Sequence, residues 1–137
     1  MPTSDLANEL RIVLGQLIRR LRADDVLPTS HVAVLSRLDR VGAQTTSGLA
    51  AAERMRPQSM AHTVAELEKE GLLGRRPDSV DRRQILVELT KRGRDQLYEG
   101  RRRREDWLAK AIAEGLTPAE QKVLVRAVGV LQRLAEL

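Results

Sequence analysis

The chain has 137 residues, 31% of them charged and 42% apolar, with a formal net charge of +5. These proportions describe one folded domain rather than a disordered chain, and no apolar run approaches the roughly 20 residues of a membrane span. Cysteine is absent, which excludes disulfides, thiolate metal sites and thiol redox sensing.

Taken in chain order, Asp5 to Ala23 carries Leu6, Leu10, Val13, Leu14, Leu17, Ile18 and Leu21 at steps of three and four, which predicts an amphipathic helix with Ser4 as N-cap. A break at Leu27-Pro28 precedes a second helix, capped by Thr29 or Ser30 and ended by Gly42. A third, short helix follows Thr45-Thr46-Ser47 and runs through Leu49 to Glu53. The fourth starts at Arg56-Pro57-Gln58-Ser59, with Pro57 in the first turn, and stops at Gly71. On a wheel of about 100° per residue its Met60, Val64 and Leu67 share one face. Gln58, His62 and Lys69 share the opposite one, flanked by Ser59 and Glu66.

After Gly71 the period changes to alternation. Leu72 to Arg76 forms a short strand, Pro77 to Arg83 is a turn, and Gln84 to Leu89 is a second strand, so the segment is a β-hairpin with a basic base and tip. Thr90 caps a long helix through about Ile112. Thr117-Pro118-Ala119-Glu120 then restarts a last helix lined by Val123, Leu124, Ala127, Leu131, Leu134 and Leu137.

Charge is unevenly spread over these elements. Residues 1–53 hold 6 basic and 6 acidic side chains, residues 54–104 hold 14 and 8, and residues 105–137 hold 4 and 5, so the basic excess is wholly central. A basic middle between neutral ends suits a surface that meets a polyanion. Two helices joined by a tight turn, followed at once by an arginine-bearing hairpin, satisfy the geometry of a winged helix-turn-helix. Gln58, Ser59 and His62 are placed to meet base edges, with Thr63 beside them. Arg54 and Arg56 suit phosphate contacts, and Thr46 and Ser47 are phosphate ligands or helix caps. In the hairpin, Arg82 or Arg83 can enter a minor groove while Asp81 pairs with a neighbouring arginine and holds it extended; Arg75 and Arg76 lie beside the DNA backbone.

The segment TSGLAAAERMRPQSMAHTVAELEKEGLL, the hairpin RRPDSVDRR and the LTKRG that opens the long helix resemble the multiple antibiotic resistance regulators, the MarR family. The resemblance spans nearly the whole chain and is sharpest from Thr46 to Gly93. It implies a mainly α fold with a small β-hairpin wing, in a six-helix dimeric architecture. Residues 5–27 and 113–137 would be dimerisation helices, 28–90 the winged helix-turn-helix and 90–112 the connecting helix. It also implies a transcriptional regulator, expected to be a repressor, that binds pseudo-palindromic duplex DNA as a homodimer and is released by small aromatic or phenolic anions.

Other classes fare worse. Two isolated histidines, no GxGxxG and no P-loop leave no nucleophile or phosphate cradle for an enzyme, no metal site and no cofactor. With one Trp, one Tyr and no Phe, the chain is poor in stacking platforms for single strands. An architectural or protein-binding winged helix without operator specificity is the alternative that the basic wing also permits. His31 and Trp107 are candidates for an effector pocket. Arg101 to Arg104 point in four directions on one helix and are expected to be solvated, with partners such as Glu105 and Asp106. MPTSDLANEL lacks the order of a signal peptide, which points to the cytoplasm.

Overall fold

The computed structural model describes residues 1–137: six helices and one two-stranded antiparallel sheet. In order these are α1 (Thr3–Leu21), α2 (Thr29–Val41), α3 (Thr46–Ala52), α4 (Pro57–Lys69), β1 (Leu73–Pro77), β2 (Ile85–Leu89), α5 (Lys91–Gly115) and α6 (Pro118–Ala135). They pack as two units, one of Asp24–Arg101 and one of Met1–Ala23 with Arg102–Leu137, so α5 contributes to both. None of the helices is long and apolar enough to cross a membrane.

The central unit owns the hydrophobic core. Val34, Leu35 and Leu38 of α2, Leu49 and Ala50 of α3, Met60, Val64 and Leu67 of α4, Leu72, Leu73, Val87 and Leu97 are buried together. Full burial of each large member stabilises the fold by about 1.5–3 kcal/mol. The strands pair from Leu73 opposite Leu89 to Pro77 opposite Ile85, and Gln44, in the loop before α3, exchanges two backbone hydrogen bonds with Val87. That bridge fastens the hairpin to the helices. Gly42 and Gly71, both at positive φ, end α2 and the turn after α4, where a side chain would be strained.

In the other unit, α1 and α6 contain no buried residue. Leu6, Val13, Leu14, Leu17 and Ile18 of α1, and Val123, Val125, Val128, Val130 and Leu134 of α6, are all exposed in the single chain. α6 opens with a capping box: the Thr117 hydroxyl accepts from the Glu120 amide and the Glu120 carboxylate from the Thr117 amide, with Pro118 in the first turn. These bonds hold the Glu120 carboxyl below its ordinary pKa, the backbone hydrogen bond from Thr117 being the main cause.

Several boundaries differ from the expectations by one to three residues. α1 and α2 are preceded by Pro2 and Pro28, not capped by Ser4 or by Thr29 or Ser30. In each case the proline carbonyl accepts the first intrahelical bonds, from Asp5 and Leu6 at Pro2 and from His31 and Val32 at Pro28, and no side chain caps the helix. β1 is shifted by one residue, because the Leu72 amide is already engaged by the Leu67 carbonyl as α4 closes. α5 continues past Ile112 to Gly115.

Candidate nucleic-acid interface

The path from α3 to α4 is a short turn built by the backbone. Thr45 caps α3, its hydroxyl accepting from the Gly48 amide at 3.0 Å and lying 3.2 Å from the Ser47 hydroxyl. Capping therefore belongs to Thr45 and not to Thr46 or Ser47. Arg54 stands at φ 54°, in the left-handed region that favours glycine, and Arg56 and Pro57 start the next helix. Arg37 of α2 donates to Glu53 at 2.6 Å, with both side chains partly buried. This ion pair, which no local pattern predicts, pins the turn against α2.

α4 separates its faces sharply. Met60, Val64 and Leu67 are fully buried, while Gln58, Ser59 and His62 are exposed. Thr63 corrects the expectation: only 6% of it is exposed, because it falls about 60° from Met60 and on the core side of the helix. It is not beside His62 on the outward face.

The wing is shaped by two aspartates. Asp78 Oδ1 accepts from the Val80 amide, and Asp81 Oδ1 accepts from both the amide and Nε of Arg83, at 3.1 and 3.2 Å. Between them the Gln84 amide donates to the Asp81 carbonyl, closing the turn. Of the two arginines considered for pairing, Asp81 takes Arg83, whose side chain remains 91% exposed. At the base of the hairpin, Arg75 donates to Glu68 and Arg76 to Glu88, each at 2.8 Å. Both arginines, expected beside the DNA backbone, are thus each engaged by a glutamate in the single chain.

α5 is anchored at its start and along its first turns. The Thr90 hydroxyl donates to the Gly71 carbonyl at 2.6 Å and accepts from the Gly93 amide, which makes it the expected cap. Further along, the Tyr98 hydroxyl donates to Asp39 Oδ1 at 2.7 Å and Arg101 to Asp39 Oδ2 at 3.1 Å. Arg101 is thus tied to α2, correcting its expected place on a solvated face. The Tyr98 hydrogen bond is the main reason that the Asp39 carboxyl lies below its ordinary pKa, with Arg101 and Arg94 adding to it and burial opposing. The same bond raises the Tyr98 phenol.

The two effector candidates have different surroundings. Trp107 lies under the Arg20 guanidinium, 4.3 Å from its ring centre. His31 is buried at the edge of an open cleft of about 820 Å³, bordered by Val26, Leu27, Pro28, Lys69 and Arg92 among others. Although far apart in sequence, His31 and His62 both reach the carboxylate of Glu66.

Comparison with known proteins gives a consistent answer. The MarR family model matches residues 27–85. The chain is 33% identical over 134 residues to an uncharacterized HTH-type transcriptional regulator of Mycobacterium bovis, covering 96% of this chain and 93% of the relative. A counterpart from Mycobacterium leprae is 34% identical over 110 residues, 78% of this chain and 77% of its own. Among solved structures, a Pseudomonas aeruginosa PA01 protein regarded as a transcriptional regulator matches with a TM-score of 0.88 at 39% identity, covering 97% of this chain and 96% of that one. Wild-type MarR of E. coli, in its apo form, matches in fold, with a TM-score of 0.68 at 18% identity over 96% and 97% of the two chains.

Proposed function

Since the chain belongs to the MarR family of DNA-binding transcription regulators, we propose that it recognises a pseudo-palindromic operator as a homodimer and represses the adjoining promoter. The observation that carries this reading is the division of α4: its inner face is locked into the core, and Gln58, Ser59 and His62 are left outward to meet base edges in the major groove. The exposed Arg82 and Arg83 of the wing suit the neighbouring minor groove, and Arg54, Arg56, Thr46 and Ser47 suit phosphates. Arg75 and Arg76 can join them only by sharing or leaving their glutamates. Such a regulator works beside the chromosome, in the cytoplasm.

Dimerisation is supported by the apolar surface that α1 and α6 leave uncovered in one chain. Residues 5–27 and 113–137 are the proposed dimerisation helices, 28–90 the DNA-reading part and 90–112 the connector. Footprinting on the DNA upstream of its own gene is expected to protect two half-sites about 10 bp apart, centre to centre. Equal affinity for every duplex would favour the architectural reading instead.

An effector reading is favoured by the cleft at His31. Lys69 and Arg92 border it without an ion-pair partner, beside the apolar Val26, Leu27 and Pro28 and the carboxylates of Glu66 and Glu70, so a small aromatic carboxylate would bind there through the two cations. Salicylate-class compounds are expected to release operator DNA, and Arg92→Ala to blunt that release. Release undiminished in Arg92→Ala would move the site elsewhere, and no release across a panel would make binding constitutive.

A further inference from the structure

Glu66 sits one turn beyond His62 on α4, and its carboxylate divides between two imidazoles. Oε1 meets Nε2 of His62 at 2.8 Å, and Oε2 meets Nε2 of His31, from α2, at 2.9 Å. A carboxylate only accepts, so the hydrogen must be on Nε2 in both rings. His31 is 8% exposed and its Nδ1 is buried without a partner, so the ring has no competing hydrogen bond to turn towards. It therefore holds Glu66 from the core side. The His62 side chain is 75% exposed, and its remaining nitrogen, Nδ1, is the polar atom left for DNA.

The consequence is chemical. A neutral histidine free to choose its tautomer can offer either a donor or an acceptor, and so suits a guanine N7 or O6, a thymine O4 or an amino group. With Nε2–H committed to Glu66, the neutral ring offers an acceptor. The only base-edge donors in the major groove are the N6 amino group of adenine and the N4 amino group of cytosine.

We propose that Glu66, held in place by His31, is a specificity-determining positioning residue that makes His62 select a base with an amino group at the position it meets. This rests on the reading of α4 as the DNA-reading helix. The test compares the parent, His62→Ala, Glu66→Ala, Glu66→Gln and the Glu66→Ala/His62→Ala double variant on operators carrying each base pair at each half-site position. At one position the parent is expected to prefer adenine or cytosine about tenfold, and His62→Ala to level that preference. Glu66→Ala should reduce it below about threefold at that position alone, and the double variant should be no less selective than His62→Ala, since coupled residues do not add. Glu66→Gln preserves the shape but keeps one acceptor oxygen where Glu66 has two, so an intermediate preference is expected, and it serves if Glu66→Ala folds poorly.

A Glu66 variant that weakens every duplex equally and leaves the preference intact would overturn the proposal, as would additive effects of the two alanines. If His62→Ala levels a preference and neither Glu66 variant does, only the role of Glu66 falls. If His62→Ala changes no position, His62 does not read a base and the roles given to His62 and Glu66 both fall, whereas the reading of α4 as the DNA-reading helix falls only if Gln58→Ala and Ser59→Ala are equally silent.

Discussion

At the scale of single residues, one oxygen of Asp81 serves the backbone and the side chain of Arg83 together, and removing it sets two effects against each other. Loss of a negative charge beside DNA strengthens binding; loss of the contact that holds the arginine weakens it. Because Asp81 also accepts from the Arg83 amide and so fixes the backbone that carries the arginine, the second effect should win. Asp81→Ala is expected to weaken binding to all duplexes as Arg83→Ala does, and to flatten the salt dependence by about one unit of slope. Titrations at several salt concentrations measure this, and tighter binding by Asp81→Ala would reduce the wing to a diffuse basic patch. Arg54 offers a second contrast. Its φ of 54° suits glycine, so Arg54→Gly should raise stability by about 1 kcal/mol. If the side chain is kept for a phosphate, the same change weakens DNA binding. Unchanged affinity would leave Arg54 without that role.

At the scale of elements, the start of α5 is set by contact rather than by helix propensity. A Cβ on Gly93 would lie 2.1 Å from the carbonyl oxygen of Leu72, which is backbone and cannot step aside. Gly93→Ala should therefore cost about 1–3 kcal/mol in denaturant unfolding, while Gly115→Ala, with nothing within 4 Å, should stay within about 0.5 kcal/mol. Equal effects would mean that the glycine serves only the chain's flexibility. The α2–α5 tie through Asp39 gives a pH dependence. Its carboxyl titrates lower when folded than when unfolded, so its contribution is present above the ordinary aspartate pKa and is lost as pH falls through the folded value. The stability advantage of the parent over Asp39→Asn should hold at neutral pH and vanish in acid, as read by thermal unfolding across a pH series. An advantage independent of pH would assign the tie to hydrogen-bond shape rather than charge.

For the whole molecule, the decisive quantity is apolar surface. The central unit buries a core that runs from Val34 to Leu97, whereas α1 and α6 bury no residue, and their Leu14, Leu17, Ile18, Val128, Val130 and Leu134 remain exposed. Large exposed apolar patches commonly mark association sites, and an obligate interface commonly exceeds about 2,000 Å², so the proposed dimer would cover these side chains. Light scattering is expected to give a dimer at micromolar concentration, and Leu17→Glu with Leu134→Glu to disrupt it and abolish binding to the full palindrome. A parent that stays monomeric and folded would remove the dimer from the proposed function.

Element order, helix faces and the basic hairpin were legible in the amino-acid sequence because each arises from spacing within a dozen residues: period 3.6, alternation, a proline start or a threonine cap. Even the inward turn of Thr63 was available there, since its wheel angle places it with Met60. Motifs such as LTKRG carried the family, and Gly93 now has a physical reason in the carbonyl it touches. The tertiary structure alone decided which charge meets which. Arg37 with Glu53, Asp39 with Tyr98 and Arg101, and Glu66 with His31 join elements separated by up to 62 positions. An ion pair forms or fails over an ångström or two. Periodicity states which face a residue occupies, but only packed helices bring two side chains to that distance.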